Sequence, residues 1–313
     1  MTETESAGRL SPDVVARLRT TLRNTEILPD EPLVRHTSFR IGGPADLLLL
    51  PRTVADLQQI VHVTRETETR LTILGNGSNL LVRDGGLRGV VLKVAENLAG
   101  VTFVGLACRA EGGALLAHVS RQAAGRGLAG LEFAVGIPGT IGGGILMNAG
   151  AYGGEMKEVV THVTVVNETG EVRTHAAADL EFAYRRSRLQ REPWIVTEIA
   201  LRLQPEIPER ILAQMSRNNY LRESMQPLAL PSAGSVFKRP PGKYVGPMIQ
   251  QLGLKGYRIG GAQVSEKHAG FIVNRGGASA ADVLALIQHI RQQVQAQFGV
   301  WLETEVRIIG EEL

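Results

Sequence analysis

Glycine-rich segments with neighbouring serine and asparagine residues are the part of this sequence best suited to binding a ligand. The chain has 36 glycines in 313 residues, and they cluster at 42–43, 75–79, 136–144 and 150–154. Glycine permits positive φ and lets backbone N–H groups approach a ligand closely, so such loops suit a diphosphate. Ordinary turns explain any one cluster. Four clusters together favour a phosphate-bearing cofactor.

The glycine patterns argue against two common phosphate-binding folds. Residues 75–80 read GNGSNL and begin like the dinucleotide fingerprint, but Leu80 occupies its last glycine position and no turn into a helix follows. Lys243 follows a glycine but lacks the earlier glycine of a P-loop, and Tyr244 stands where that motif has Ser or Thr. The sequence therefore argues against a Rossmann fold and a P-loop.

Two polar residues have neighbours that suit chemistry on an anionic substrate. Ser235 lies between a glycine and a valine, where a tight turn can expose its hydroxyl; the alternative is a turn serine that bonds its own backbone. The guanidinium of Arg185 can form paired hydrogen bonds to a carboxylate. The alternative is that Arg185, like Arg186 and Arg188, is a basic residue on the solvent-exposed surface.

The C-terminal segment 300–309 alternates in polarity, which predicts a strand. Glu305 and Arg307 then share one face with Glu303, and the opposite face is apolar: Val300, Leu302, Val306 and Ile308. The alternative is a solvated charged face on an edge strand.

Length and composition place the chain among folded globular proteins with two or three domains. The formal net charge is only +3 and aromatic residues make up 4%, so nucleic-acid binding is not expected. The single cysteine, Cys108, fits a reducing compartment and is expected in the core. Residues 1–8 lack signal-peptide features, and no apolar run reaches ~20 residues. These features predict a cytoplasmic protein without membrane insertion.

Helices and strands must position the candidate residues. Ser11 with Pro12, Thr53 with Asp56, and Ser279 with a closing Gly299 predict three capped helices. Further helices are predicted near 114–124 and 211–224, and strands at 45–50, 71–74, 90–94, 159–166 and 195–203. The order predicts a small α/β unit, a strand-rich α+β unit and a third α/β unit.

Seven short motifs occur in order along nearly the whole chain. They are 37–45 (TSFRIGGPA), 75–81 (GNGSNLL), 136–143 (GIPGTIGG), 148–153 (NAGAYG), 184–187 (YRRS), 234–238 (GSVFK) and 303–307 (ETEVR). Together they resemble the UDP-N-acetylenolpyruvoylglucosamine reductase family. The compact segment between Tyr152 and Arg185 is similar to the shorter, type II members.

The resemblance implies an α+β fold class: a two-domain FAD-binding fold of the vanillyl-alcohol oxidase (PCMH) type plus a C-terminal α/β substrate-binding domain. The implied bounds are 9–86 for the first FAD-binding domain, completed by 306–313, then 87–210 for the second and 211–305 for the substrate-binding domain.

The same resemblance implies noncovalent FAD, with 75–81 around its diphosphate and 136–143 close to the cofactor. The implied cofactor-binding residues are Ser38, Arg40, Gly42, Gly75, Asn76, Gly77, Ser78, Asn79, Leu80, Gly136, Pro138, Gly139, Gly142, Gly143 and Asn148. Candidate substrate contacts are Tyr152, Lys238, Arg239 and Lys267. A packed tyrosine and exposed basic residues are the alternatives for these. His268 is a candidate neighbour of the site, but a surface position is favoured for it.

The implied activity is the NADPH-dependent reduction of UDP-N-acetylglucosamine enolpyruvate to UDP-N-acetylmuramate in peptidoglycan synthesis. By resemblance, Ser235 donates the proton, Arg185 binds the substrate carboxylate and the developing charge, and Glu305 stabilises the enolate. No metal and no obligate protein partner are expected.

Two alternatives stay open at this point. One is another FAD-dependent oxidoreductase of the vanillyl-alcohol oxidase type, such as an alcohol oxidase, which needs a base for a hydroxyl proton. The other is an FAD-binding subunit that passes electrons to partner chains.

Overall fold

The computed structural model describes residues 10–313. The expectation that the chain lacks a signal peptide concerned residues 1–8, which lie outside the described residues. No helix within 10–313 is both long and apolar enough to cross a membrane.

The regular elements follow the predicted order. The helices are α1 Pro12–Thr21, α2 Val54–Glu66, α3 Leu116–Ala124, α4 Ile141–Leu146, α5 Pro208–Met225, α6 Val245–Gln251 and α7 Ala280–Phe298. The strands are β1 Glu26–Pro32, β2 Pro44–Leu50, β3 Leu71–Leu74, β4 Leu80–Val82, β5 Leu87–Lys93, β6 Val101–Val104, β7 Ala107–Glu111, β8 Leu128–Ala129, β9 Gly150–Ala151, β10 Gly154–Glu155, β11 Val160–Val166, β12 Val172–Ala176, β13 Ile195–Arg202, β14 Gln204–Pro205, β15 Arg258–Ile259, β16 Ala262–Val264, β17 Ile272–Asn274 and β18 Arg307–Ile309.

The first unit is a four-stranded sheet in the order β1-β2-β5-β3, parallel except for β1. Leu47, Leu48 and Leu49 on β2 are fully buried, because both faces of this strand are covered. The predicted boundary between 86 and 87 would separate β5 from β2 and β3, with which β5 pairs in the first sheet.

The second unit is an antiparallel sheet in the order β12-β11-β13-β7-β6, with α3 and α4 packed in its core. Cys108 is fully buried there, as predicted, and burial raises the pKa of its thiol to about 11.

Helix α5 packs on the second unit, although 211–305 was predicted to form a separate domain. Ile211 and Met215 are buried against Ala124 and Val135, and Asn218 donates to the Glu132 carbonyl at 2.9 Å. The helix therefore runs from the second unit towards the third. The third core consists of α6, α7 and the sheet β15-β16-β17.

The C-terminal segment returns to the first unit, where β18 pairs in parallel with β4. The predicted strand over 300–309 is wrong for 300–306, because the segment changes partners: Thr304 bridges Phe237, and the β4 ladder begins only at Arg307. The predicted alternation of burial holds for Leu302 and Val306, which are buried.

The capping box at the start of α7 predicts a measurable contribution to stability. The Ser279 hydroxyl accepts from the Asp282 N–H at 3.0 Å, and Asp282 accepts from the Ser279 N–H at 3.1 Å. We expect Ser279→Ala to lower the free energy of unfolding by ~1 kcal/mol in urea titrations of the flavin-free protein. Ser216→Ala, at an exposed position inside α5, is the control and should cause no loss. Equal stability of the two variants would contradict the prediction.

Candidate active site

A large cavity of about 1110 Å³ lies where the three units meet. Its walls come from the loop after β3, the N-terminus of α4, the C-terminal part of α5, the turn at 231–235 and the C-terminal segment. The volume slightly exceeds the usual range of about 300–1000 Å³ for small-molecule sites. One cavity therefore collects most of the motifs that were predicted to act together.

The loop 75–79 presents backbone donors to this cavity. Its N–H groups have no acceptor among residues 10–313, and the Ser78 side chain lines the same wall. The Asn76 side chain donates to the Pro138 carbonyl at 2.6 Å, which ties this loop to the glycine-rich segment before α4. Consecutive free N–H groups in a concave loop suit an anion such as a diphosphate.

Two glycines make the close approach of these loops possible. A Cβ on Gly77 would lie 2.1 Å from the His36 carbonyl oxygen, and Gly77 has φ +62°. A Cβ on Gly75 would lie 2.6 Å from the Thr140 hydroxyl. A side chain at either position would push the loops apart. The free donors, the glycine-lined walls and the size of the cavity thus fit FAD.

Most of the predicted cofactor-binding residues line the cavity. Those that do are Ser38, Arg40, Gly75, Asn76, Gly77, Ser78, Asn79, Leu80, Pro138, Gly139, Gly142 and Gly143.

Three predicted cofactor-binding residues do not line the cavity and have packing roles instead. Gly42 packs against Val82, where a Cβ would come within 2.9 Å, and Gly136 packs against the stem of Arg222. Asn148 is fully buried with φ +42°, and its side chain donates to Glu155 at 2.9 Å and accepts from the Lys157 N–H at 2.9 Å. The recognised motifs thus contain both residues that line the cavity and residues that shape the loops around it.

Arg185 and Glu305 form an ion pair in the cavity wall, 120 residues apart in sequence. The Arg185 Nε donates to the Glu305 Oε1 at 2.7 Å, and the side chains are 21% and 15% exposed. Arg185 Nη2 also donates to the Gly150 carbonyl at 3.0 Å. Of the five N–H donors of a guanidinium, these contacts use two, so three remain for a ligand.

Gln190 holds the backbone of Arg185. Its amide donates to the Arg185 carbonyl at 3.0 Å and to the Leu146 carbonyl at 3.0 Å. Arg185 has φ +52°, in the left-handed region that L-residues rarely adopt. The Gln190 hydrogen bonds therefore help to stabilise an unfavourable backbone conformation at the site.

Ser235 is held close to Glu305 by backbone pairing. Val236, the next residue, accepts from the Glu305 N–H at 2.8 Å, and Lys238 donates from its N–H to the Glu303 carbonyl at 2.9 Å. Ser235 follows Gly234, which has φ +78°, and lines the cavity. The structure therefore brings together Arg185, Ser235 and Glu305.

Asn79 connects the glycine loop to the same cluster. Its side-chain amide donates to the Glu305 carbonyl at 3.1 Å, and its own carbonyl accepts from the Arg307 N–H at 3.0 Å. Asn79 thus positions Glu305 in addition to lining the cavity.

Among the predicted substrate contacts, only Tyr152 lines the cavity. Lys238 forms a surface ion pair with Glu303 at 3.2 Å, Arg239 stacks on the Tyr244 ring, and Lys267 donates to the Glu223 carbonyl. These three basic residues lie outside the cavity, because their chain segments turn the side chains to the surface.

His268 lies in the cavity wall, so its predicted surface position is wrong. Its ring packs edge-on against Phe271 at 4.8 Å between centroids, and its Nδ1 accepts from the Gly270 N–H at 3.1 Å. Burial lowers the pKa of His268 below its usual value, so the ring is neutral at pH 7.

Sequence reasoning missed Gln190 and Arg222, which also line the cavity. Neither belongs to a glycine cluster or to a predicted motif. Only the packing of α5 and of the 185–190 segment brings them to the site, so no local pattern reveals them. Among residues 10–313 there is no cluster of His, Cys, Asp and Glu with the geometry of a metal site.

Comparisons with known proteins agree with the fold and the cavity. A model of the FAD binding domain matches residues 45–175, and a model of the UDP-N-acetylenolpyruvoylglucosamine reductase C-terminal domain matches 226–309. The fold and site thus define a flavoprotein oxidoreductase that binds FAD. The second match begins directly after α5, in agreement with the packing of that helix on the second unit.

Similar proteins of known family cover almost the whole chain. The UDP-N-acetylenolpyruvoylglucosamine reductase of Alkaliphilus metalliredigens is 52% identical, over 90% of this chain and 93% of its own length. That of Syntrophomonas wolfei is 46% identical, over 90% and 95%. The crystal structure of the Thermus caldophilus enzyme superimposes with a TM-score of 0.78 at 36% identity, covering 91% of this chain and 98% of that one. The chain belongs to the UDP-N-acetylenolpyruvoylglucosamine reductase family.

The position of Gln190 predicts a specific kinetic defect. Gln190→Ala removes the side-chain donor to the Arg185 carbonyl and frees the Arg185 backbone, whereas the Leu146 carbonyl keeps the Ser187 hydroxyl as a donor at 2.8 Å. We therefore expect kcat to fall by about tenfold. The flavin content and the melting temperature should stay near those of the unmutated protein. Gln190→Glu, which keeps the shape but has no N–H donor when ionised, should be at least as slow. Asn167→Ala, which removes an amide from a surface turn, is the control. Loss of flavin in parallel with kcat would show that Gln190 is a structural residue only.

Proposed function

We propose that this protein reduces the enolpyruvyl group of UDP-N-acetylglucosamine enolpyruvate to give UDP-N-acetylmuramate, with NADPH as the reductant. The single observation that carries the proposal is the convergence of Arg185, Glu305 and Ser235 on one wall of the FAD-sized cavity. Family membership supports the substrate, since the relatives are named for this reaction. We also propose this activity as a cytoplasmic step of peptidoglycan synthesis.

FAD would be held by the loop 75–79 and by the segment 138–143. When bound, it supplies the hydride that is added to the methylene carbon of the enolpyruvyl group. The remaining tasks belong to side chains of this protein: binding the carboxylate, stabilising negative charge on the adjacent carbon, and protonating that carbon.

Arg185 binds the substrate carboxylate in this proposal. Its three remaining N–H donors can form the paired contact that guanidinium makes with carboxylate. As negative charge spreads from the carbon onto the carboxylate, these charge-assisted hydrogen bonds become stronger. Because Gly150 and Glu305 already fix the guanidinium, little reorganisation is needed when the charge develops.

Glu305 orients Arg185 and balances part of its charge before the substrate binds. A single buried guanidinium would be costly, whereas a paired one is tolerated. Glu305 lines the same cavity as Ser235, and in this proposal it also contributes to stabilising the enolate. Glu305→Gln keeps the shape of the side chain and removes the charge, which separates these electrostatic roles from packing.

Ser235 donates its hydroxyl proton to the carbon that bears the carboxylate. A serine is a weak acid, but an enolate is strongly basic, and direct contact makes transfer feasible. The C–H bond forms as the O–H bond breaks, and the resulting alkoxide takes a proton from water. The glycine before Ser235 and the pairing of Val236 with Glu305 support this placement.

We further propose three working units. The first FAD-binding unit spans about 10–93 and is completed by 306–313, the second spans 94–225 and includes α5, and the substrate-binding unit spans 226–305. Strand partners and core packing support these bounds.

The purified protein offers a direct test of the cofactor and the activity. We expect a yellow protein whose FAD is released by heat or acid, because the proposed contacts are noncovalent. NADPH oxidation should accelerate on addition of UDP-N-acetylglucosamine enolpyruvate, with formation of UDP-N-acetylmuramate by mass spectrometry. A colourless protein that FAD does not reconstitute, or flavin without substrate-dependent turnover, would count against the proposal.

The proposed role of Ser235 predicts that the two half-reactions respond differently to mutation. Ser235→Ala should leave bleaching of the flavin by NADPH near normal, because that step needs no proton from Ser235. The return of flavin absorbance on adding substrate should slow by at least ~100-fold, as for loss of a positioned acid. Ser235→Cys should be faster than the alanine variant, since a thiol also donates a proton.

Rapid-mixing absorbance separates the two half-reactions. Ser232→Ala, three positions upstream in the same segment, controls for disturbance of the backbone there. Equal slowing of both halves in Ser235→Ala would assign Ser235 to the shape of the site, and an unaffected second half would remove it from the mechanism.

A further inference from the structure

Arg222, near the C-terminus of α5, is a charged group in the cavity that the proposed mechanism does not use. Its stem packs on the backbone of Gly136, where a Cβ would lie 2.6 Å from the Arg222 Cδ. Within residues 10–313 no carboxylate oxygen lies within 4.0 Å of its guanidinium, and burial lowers its pKa. A partly buried cation without a protein counter-charge is best stabilised by an anionic ligand.

Tyr152 faces the same part of the cavity. It forms, with Gly153, the two-residue turn between β9 and β10, with φ +52° and +91°. These angles are those of a tight hairpin turn with both central residues left-handed, so the tyrosine stands at the hairpin tip. Burial raises the pKa of Tyr152, opposed by the charge of Arg222. The phenol is therefore neutral at pH 7 and available as a hydrogen-bond donor.

The β9–β10 hairpin sets the distance between Tyr152 and Arg185. Arg185 donates to the Gly150 carbonyl at 3.0 Å, and Tyr152 lies two residues further, ~6–7 Å along an extended chain. In the proposed substrate, the enolpyruvyl carboxylate and the diphosphate are attached to the same sugar ring. A ligand whose carboxylate contacts Arg185 therefore carries a diphosphate within reach of the hairpin tip.

We propose that Arg222 and Tyr152 form a diphosphate-binding subsite at the mouth of the cavity. The inference rests on the proposed function and names the residues that recognise the nucleotide part of its ligands. The planar guanidinium forks onto two phosphate oxygens, and the phenol donates to a third. The UDP-sugar and NADPH both carry a diphosphate, so the two sources share this chemistry and are separated by experiment.

The test uses the FAD-loaded protein and titrates it with UDP, uridine and NADP⁺, following flavin absorbance and calorimetric heat. Arg222→Ala should weaken UDP binding by ~10- to 100-fold, as expected for loss of charge-assisted hydrogen bonds. The affinity of Arg222→Ala for uridine, which has no phosphate, should stay within about twofold of that of the unmutated protein. The affinity of Arg222→Lys for UDP should be intermediate, because lysine keeps the charge but not the paired hydrogen bonds of a guanidinium. Tyr152→Phe should weaken UDP binding by about threefold to tenfold.

Matched controls lie on the same helix. Arg217→Ala and Tyr220→Phe change exposed residues of α5 outside the cavity and should leave all three affinities unchanged. Weaker binding of UDP alone assigns the subsite to the UDP-sugar, and weaker binding of NADP⁺ alone assigns it to the reductant. Weaker binding of both shows one subsite used in turn.

Unchanged affinity for UDP and NADP⁺ in Arg222→Ala, at full flavin content, would overturn the subsite. If that variant does not fold, unchanged affinities in Arg222→Lys and Tyr152→Phe would overturn it equally. Turnover of UDP-N-acetylglucosamine enolpyruvate by the unmutated protein is measured in parallel. If the unmutated protein turns over this substrate and the variants keep their affinities, only the subsite is overturned. If the unmutated protein shows no turnover, the proposed function is overturned.

Discussion

The geometry of the site depends on one short segment, residues 303–309, that is hydrogen-bonded to two different units. Its first half pairs with 236–238 of the third unit, through the Glu305 N–H to the Val236 carbonyl at 2.8 Å. Its second half adds β18 to β4 of the first unit. Because one short segment connects both units, Glu305 cannot move relative to Ser235 without breaking a strand pairing. The glycine loop that precedes β4 is fixed by the same ladder.

The charged side chains of the cavity wall are mainly arginines. Arg185 is the only cavity arginine within residues 10–313 that has a carboxylate partner, and the others are Arg40, Arg70, Arg222 and Arg307. A wall with more cations than anions attracts phosphate-bearing and carboxylate-bearing ligands. The site is therefore prepared for several anionic groups at once, which a diphosphate cofactor and a nucleotide-sugar substrate provide.

Some of the strained backbone conformations of the protein lie at or next to the same cavity. Arg40, Asn148, Tyr152 and Arg185 all have positive φ although none is glycine. Their conformations are supported by hydrogen bonds or tight turns: Asn274 donates to the Arg40 carbonyl at 3.2 Å, for example. Such conformations each cost free energy and persist only where the surrounding structure compensates. Here they direct side chains into the cavity or close the loops that line it.

The sequence alone determined the elements whose signals are local. Capping boxes fixed the starts of α2 and α7, because Thr53 and Ser279 act on N–H groups only three residues away. The ordered motifs also predicted the FAD-binding fold and the residues around the glycine loop. Backbone N–H groups can be predicted to bind phosphate from a glycine-rich loop itself, without knowledge of its neighbours.

Tertiary structure decided what depends on distant partners. The packing of α5 on the second unit, the place of Arg222 and Gln190 in the cavity wall, and the burial of His268 have no local sequence signal. The same holds for Gly42 and Asn148, which belong to the recognised motifs but support the loops from outside the cavity. Each depends on contacts between segments far apart in the chain, and such contacts form only when the hydrophobic cores of the three units bring those segments together.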